Sequence, residues 1–269
     1  MAGGIAEVVA RSGMRAILRA RTEAAATGAV QQVAKGLGRQ VERGKLDATE
    51  RDRILANIHT VTELAGLADC DIVIESVVED LATKQQLFRE LDAMVKPAAL
   101  LTTNTSTLPV VEMAKVVRQP ERVCGIHFFN PAPMLPLVEV VQPITASDET
   151  INRALAFVSN IGKDGVRVLD RAGFIVNALL FPYLNNAIRM LEDGTASMED
   201  IDTAMKGGCN FPMGPFALLD LVGLDTSLAI LETLHSSFGD NNFAPRPMLR
   251  SLVSEGRLGR KTKAGFYVY

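Results

Sequence analysis

The sequence predicts an α/β protein: a doubly wound, mostly parallel sheet over residues 1–170, followed by an all-helical unit over residues 171–269. Three observations carry this expectation. Short apolar runs stop abruptly at polar clusters, as at Ala98–Leu101 and Val123–Ile126, which is a strand signal. Longer segments with helical spacing separate those runs, so strands and helices alternate. Beyond Asp170 the strand signal ceases and apolar helical patterns take over.

Taken in order, Ile5–Gly13 reads as a helix ending at a glycine. A dinucleotide-binding fold places a strand and a G-x-G turn ahead of such a helix. Neither is present here, so a misassigned start and a real truncation both stand as explanations. Weak dinucleotide binding by the 269-residue chain is expected on either. Ala16–Leu18 is a short strand. Residues from about 27 to 66 are charged and periodic, with Gly44 as a break, and read as an inserted helical hairpin. Within it, Asp47-Ala48-Thr49-Glu50 resembles a capping box. Asp71–Asp80 reads as strand then turn, Leu81–Met94 as a helix, and Leu108–Val117 as a helix with Pro109 in its first turn. Ser147 opens a helix through Ile161, and Val166–Leu169 is the last strand. Helices are then expected at Ile175–Leu191, Ser197–Met205, Pro215–Phe238 and Pro247–Glu255.

Composition excludes several classes of function. Hydrophobic residues make up 48% and charged residues 22%, with a net charge of −3, which leaves no basic footprint for nucleic acid. Aromatics are only 5% and Trp is absent, so no stacking platform is expected. No apolar run reaches the roughly 18 residues that span a membrane, and the N-terminus lacks signal-peptide order. Cys70, Cys124 and Cys209 show no metal-ligand spacing and suit a reducing, cytoplasmic setting. No metal site is expected.

The chemistry concentrates between Leu100 and Val141. The first apolar run ends at Thr102-Thr103-Asn104-Thr105-Ser106, the second at His127-Phe128-Phe129-Asn130-Pro131. Open α/β sheets place ligands at the carboxyl ends of their strands. Ser106, His127 and Asn130 therefore stand where such a sheet puts its chemistry. Glu139 lies inside a third apolar run, Leu137–Val141. A buried carboxylate requires a partner, and His127 is the nearest candidate along the chain. A carboxylate-oriented histidine is a general base near neutral pH.

HFFNP followed by PLVEVV, with NTST upstream, resembles the short-chain L-3-hydroxyacyl-CoA dehydrogenase family, especially its bacterial 3-hydroxybutyryl-CoA members. RAGFIVNALL, PMGPFALLDLVGLD and GRKTKAGFYVY extend the similarity along essentially the whole chain. The resemblance implies a Rossmann-like domain, lacking its first strand and glycine turn, and a helical dimerisation and substrate domain. It implies NAD(P)-dependent oxidation of an L-3-hydroxyacyl-CoA, with His127 and Glu139 as acid/base dyad and Ser106 and Asn177 positioning the substrate. Ala2 falls on the third glycine of the fingerprint, Gly4 just beyond it, and Ala20 on the family's acidic ribose-binding position. With Arg19 and Arg21 beside Ala20, NADP competes with NAD as the expected cofactor. Glu79, Lys84, Asn104, Ser106, Asn130 and Lys261 are the other residues expected at the cofactor. Lys35, Arg39 and Arg43, with Lys45, are expected to serve the CoA phosphates, although Gly36 stands where the family often has Ser. A homodimer through residues 171–269 follows from the resemblance and from the long apolar helix faces. Two other readings stay open: a non-catalytic structural member of the fold, and a related dehydrogenase of free hydroxy or sugar acids.

Overall fold

Backbone pairing in the first part of the chain follows the apolar runs. The computed structural model describes all residues, Met1–Tyr269, and divides into two units, Met1–Asp170 and Arg171–Tyr269. In the first, α1 (Ala2–Arg11) leads to β1 (Ala16–Arg19), then α2 (Glu23–Glu42), α3 (Ala48–Ala56) and β2 (Ile58–Val61). After a short 3-10 turn at Leu64–Leu67 come β3 (Ile72–Glu75), α4 (Leu81–Met94), β4 (Leu100–Thr103) and α5 (Val110–Ala114). The unit closes with β5 (Val123–Phe128), β6 (Leu137–Gln142), α6 (Asp148–Asn160) and β7 (Asp164–Leu169).

These strands form two sheets, a parallel pair β1-β2 and a five-stranded sheet β3-β4-β5-β6-β7. Within the larger sheet only β5 and β6 run antiparallel. β4 and β5 are buried along their whole length, and each opens on one of the apolar runs. Their core is Leu100, Cys124 and Ile126 packed with Ile151 and Val158 of α6 and with Ile5 and Val8 of α1.

Four expectations need correction here. The segment from about 27 to 66 is more than a helical hairpin, because β2 lies inside it. Ile58-His59-Thr60-Val61 buries only Ile58 and has no strand alternation to read; its pairing with β1 makes it a strand. The helix expected at Leu108–Val117 shrinks to Val110–Ala114, with Pro109 at the N-cap rather than in the first turn. Asp47 does cap α3 through Thr49 N (2.7 Å), but Glu50 completes no capping box, since its carboxylate is held by Arg53 at 2.7 and 2.8 Å. The single helix expected at Pro215–Phe238 is two, α9 (Pro215–Val222) and α10 (Leu224–Phe238), broken at Gly223. Gly223 sits at φ 103°, which a side chain resists.

The second unit also contains α7 (Val176–Glu192), α8 (Met198–Cys209) and α11 (Pro247–Ser254). Phe181, Leu184, Phe216, Leu231 and Leu249 form its core. Two buried carboxylates organise it. Asp202 accepts from Phe216 N (2.8 Å) and Ala217 N (3.1 Å) at the start of α9. Asp220 accepts from Phe266 N (2.9 Å) and Tyr267 N (2.8 Å), holding the GFYVY segment. A Cβ on Gly265 would stand 1.9 Å from Asp220 Oδ1, so that position admits only glycine.

Candidate active site

The antiparallel register of β5 and β6 sets His127 directly opposite Glu139. Nδ1 of His127 lies 2.7 Å from Oε2 of Glu139. Both are buried, at 5% and 0% exposure. A carboxylate so placed holds the ring in one tautomer and balances the charge of an imidazolium. Phe129 packs against the imidazole at a centroid distance of 4.6 Å and limits its rotation.

Asn104 closes the neighbouring strand end. Its Oδ1 accepts from Phe128 N at 2.8 Å, tying the exit of β4 to that of β5. The following residues converge on Glu79, in the turn after β3. Glu79 Oε1 accepts from Ser106 N (3.0 Å), Thr107 N (3.4 Å) and Thr107 Oγ1 (3.3 Å), and from the Thr105 hydroxyl. Lys84 Nζ stands 3.2 Å from its other oxygen. Burial pushes the Glu79 carboxyl up, but the Thr105 hydroxyl and the Lys84 charge outweigh that, and its pKa falls below the ordinary carboxylate value. An ionised Glu79 thus fixes the backbone that presents Ser106.

Lys84, expected at the cofactor, is a buried cation in this structure. It is 1% exposed, and its ammonium is bonded to Glu75 at 2.7 and 2.8 Å. Thr103 Oγ1 also donates to Glu75 (2.8 Å), as does Val77 N (2.6 Å). Any effect of Lys84 at a cofactor therefore passes through Glu79. Glu75 was not recognised in the sequence as a site residue. Its signal was a carboxylate ending the apolar run IVIE, nine positions before the lysine that neutralises it.

Asn130 is exposed and joined to Pro131 by a cis peptide. In the loop that follows, Met134 N and Leu135 N donate to the Pro131 carbonyl, and Lys163 Nζ bonds the carbonyls of Ala132 and Leu135. Ala2 and Gly4 lie in the first turn of α1, which has no acidic residue and no side-chain cap. Such a helix start presents unpaired N–H groups to an anion. Ala20 follows β1, where Arg19 Nε donates to the Thr62 carbonyl (3.0 Å) and Arg21 is exposed. Ala20, at the exit of β1, offers no carboxylate to ribose hydroxyls. Lys35 and Arg39 are exposed on α2 opposite buried Val33 and Leu37, and Arg43 is exposed at its C-cap. In the second unit, Asn177 is buried in the first turn of α7. Lys261 Nζ bonds both oxygens of Asp225 at 2.5 Å. No cluster of His, Cys, Asp and Glu fit to hold a metal occurs, and no helix is long and apolar enough to cross a membrane.

Residues 1–171 match the NAD binding domain of 3-hydroxyacyl-CoA dehydrogenase, and residues 173–269 match its C-terminal domain. The 3-hydroxybutyryl-CoA dehydrogenase of Mycobacterium tuberculosis is 45% identical over 271 residues, covering 100% of this chain and 95% of that one. A probable 3-hydroxybutyryl-CoA dehydrogenase of Deinococcus radiodurans is 42% identical over 270 residues, covering 100% and 96%. Among solved structures, the (S)-3-hydroxybutyryl-CoA dehydrogenase PaaH1 of Ralstonia eutropha superposes with a TM-score of 0.97 at 38% identity, covering 100% of this chain and 95% of that one.

Proposed function

This chain belongs to the 3-hydroxyacyl-CoA dehydrogenase family, and from that premise we propose that it interconverts an L-3-hydroxyacyl-CoA, 3-hydroxybutyryl-CoA foremost, and the 3-oxoacyl-CoA. The buried His127–Glu139 pair, 2.7 Å apart at a strand end, carries the reading. In oxidation His127 accepts the hydroxyl proton at Nε2, while Glu139 holds Nδ1–H and balances the positive ring. In reduction the same nitrogen returns the proton to the ketone oxygen. A nicotinamide dinucleotide supplies the hydride chemistry when bound. Ser106 and Asn177 orient the hydroxyl and the thioester oxygen, and Glu79 acts on Ser106 as a positioning residue. Lys35, Arg39 and Arg43 attract the CoA phosphates.

The family match supports NAD as cofactor. Ala20 extends the reading to NADP, because no carboxylate there repels a 2′-phosphate. Arg21 is exposed beside Ala20 and Arg19, whose Nε donates to Thr62, keeps both Nη groups, so either guanidinium can pair with that phosphate. Assembly as a homodimer through residues 171–269 is favoured by exposed Leu179 (72%), Leu221 (50%) and Phe238 (43%).

The test is oxidation of NADH by the purified chain with acetoacetyl-CoA, set beside free acetoacetate. Turnover of the thioester alone is expected, at NADH concentrations high enough to offset the weak dinucleotide binding expected of this chain. Comparable use of the free acid would move the substrate to hydroxy acids, and no turnover of either would favour a non-catalytic member of the fold.

A further inference from the structure

Helix α5 begins at Val110, shortly after Ser106, and supplies no cap of its own. Pro109 stands at its N-cap, and a proline side chain has no acceptor for the free N–H groups of the first turn. A distant carboxylate meets them instead. Asp170, the residue after β7, accepts from Val110 N at 3.0 Å through Oδ1 and from Val111 N at 2.7 Å through Oδ2. Asp170 is in turn fixed to the sheet. Its own N–H donates to the Gln142 carbonyl at 3.0 Å, and Gln142 ends β6, the strand that carries Glu139.

Side-chain packing fixes the same junction. Val110 is wholly buried, and a Cβ on Gly125 of β5 would stand 3.2 Å from its Cγ2 and 2.7 Å from Cβ of Val141 on β6. The start of α5 therefore lies directly on the β5–β6 pair, close to His127 on β5. The near end of the segment is held separately. Asn104 is tied to Phe128 N, and Glu79 gathers Thr105, Ser106 and Thr107. Leu108 N donates back to Thr105 Oγ1 at 3.0 Å. Residues 104–111 thus run between two carboxylates, Glu79 after β3 and Asp170 after β7, and these are the outer strands of the five-stranded sheet.

A loop fixed at one point pivots about it, and a second anchor removes that freedom. Hydrogen bonds from backbone N–H to a carboxylate are of the stronger, charge-assisted kind. From these contacts we propose that Asp170 is a positioning residue of the reaction: with Glu79 it holds the Ser106 loop in fixed relation to the His127–Glu139 pair. The inference rests on the role given to Ser106 under the proposed function. Asp170 reaches the loop through the backbone of Val110 and Val111, and reaches Glu139 through β6. It therefore sets the distance between the group that orients the substrate hydroxyl and the dyad that takes its proton. A misplacement of about 1 Å at such a point costs up to ~10²-fold in rate.

Two readouts separate this role from a purely structural one. The first is amide exchange in the full chain, without substrate or cofactor. In Asp170→Ala, exchange at Ser106 and Thr107 is expected to speed by at least ~10-fold, while Ile126 and Ile151 in the core keep the parent's rates. The second is a double-mutant cycle on 3-hydroxybutyryl-CoA oxidation at saturating NAD. Asp170→Ala is expected to lower kcat by about tenfold in the parent and by less than about twofold in Ser106→Ala, where nothing is left to position. Asp170→Asn keeps one of the two acceptors and should fall between the parent and Asp170→Ala in both readouts. Parent-like exchange at Ser106 in Asp170→Ala, or in Asp170→Asn should the first variant not fold, would overturn the proposal. So would equal acceleration at Ile126 and Ile151, which marks general loosening, or kcat losses that multiply in the cycle. A parent that turns over no acyl-CoA would sink the proposed reaction, and the exchange arm would still decide whether Asp170 anchors the loop.

Discussion

Replacing Glu139 by Gln keeps the shape of the side chain and an acceptor for His127 Nδ1, and removes only the charge. The carboxylate is wholly buried and 2.7 Å from the ring nitrogen, so water does not substitute for it. A hydrogen bond to a charged group contributes about 1.5–3 kcal/mol net, against about 0.5–1.5 for a neutral one. The variant therefore loses about 1–1.5 kcal/mol of support for an imidazolium. At about 1.4 kcal/mol per factor of ten, kcat for 3-hydroxybutyryl-CoA oxidation, in which the imidazolium forms, falls about tenfold, with KM little changed. His127→Asn removes the proton carrier itself and lowers turnover by ~10²-fold or more. Acting as a unit, the pair gives a double variant no slower than His127→Asn alone, whereas independent residues would multiply to ~10³-fold. Folding is checked in parallel: about 1 kcal/mol lost in a chain of this size lowers Tm by about 2–4 °C. Full kcat in Glu139→Gln, or losses that multiply in the double variant, would refute the dyad.

Four further outcomes are expected. Ala20→Asp should shift the NADH/NADPH preference toward NADH by about tenfold, since a carboxylate repels a 2′-phosphate; titration of both cofactors by fluorescence reads this, and an unchanged ratio would leave Arg21 as surface charge. Thiol labelling of the native chain should reach exposed Cys209 and spare Cys124, whose thiol burial pushes up to about 12; rapid modification of Cys124 would contradict its place in the core. For Asp92, burial raises the pKa, but bonds from Arg118 and Arg122 bring it below the ordinary 3.8. Its stabilisation is thus complete above that value and lost as pH falls through the folded-state pKa, so a plot of Tm against pH should drop more steeply at the acid end for the parent than for Asp92→Asn. Sedimentation at micromolar concentration should give a dimer, and Leu179→Glu with Leu221→Glu should shift it toward monomer; a monomeric parent would sink the interface proposal.

Much of the α/β order was legible because it rests on local chemistry. Strands buried on both faces are largely apolar, so β4 and β5 announced themselves by the apolar runs that open them, and a carboxylate within such a run in β6 pointed to a partner. Pro, Gly and Ser marked most helix ends for equally local reasons. What escaped was decided by distant partners. Ile58–Val61 is a strand only because β1 lies beside it, with too little burial to leave a pattern. Lys84 carries the charge of a surface residue, and only folding reveals Glu75 and Glu79 waiting to neutralise it. Gly223 breaks a continuous apolar pattern because its backbone turns to positive φ, and periodicity does not record that.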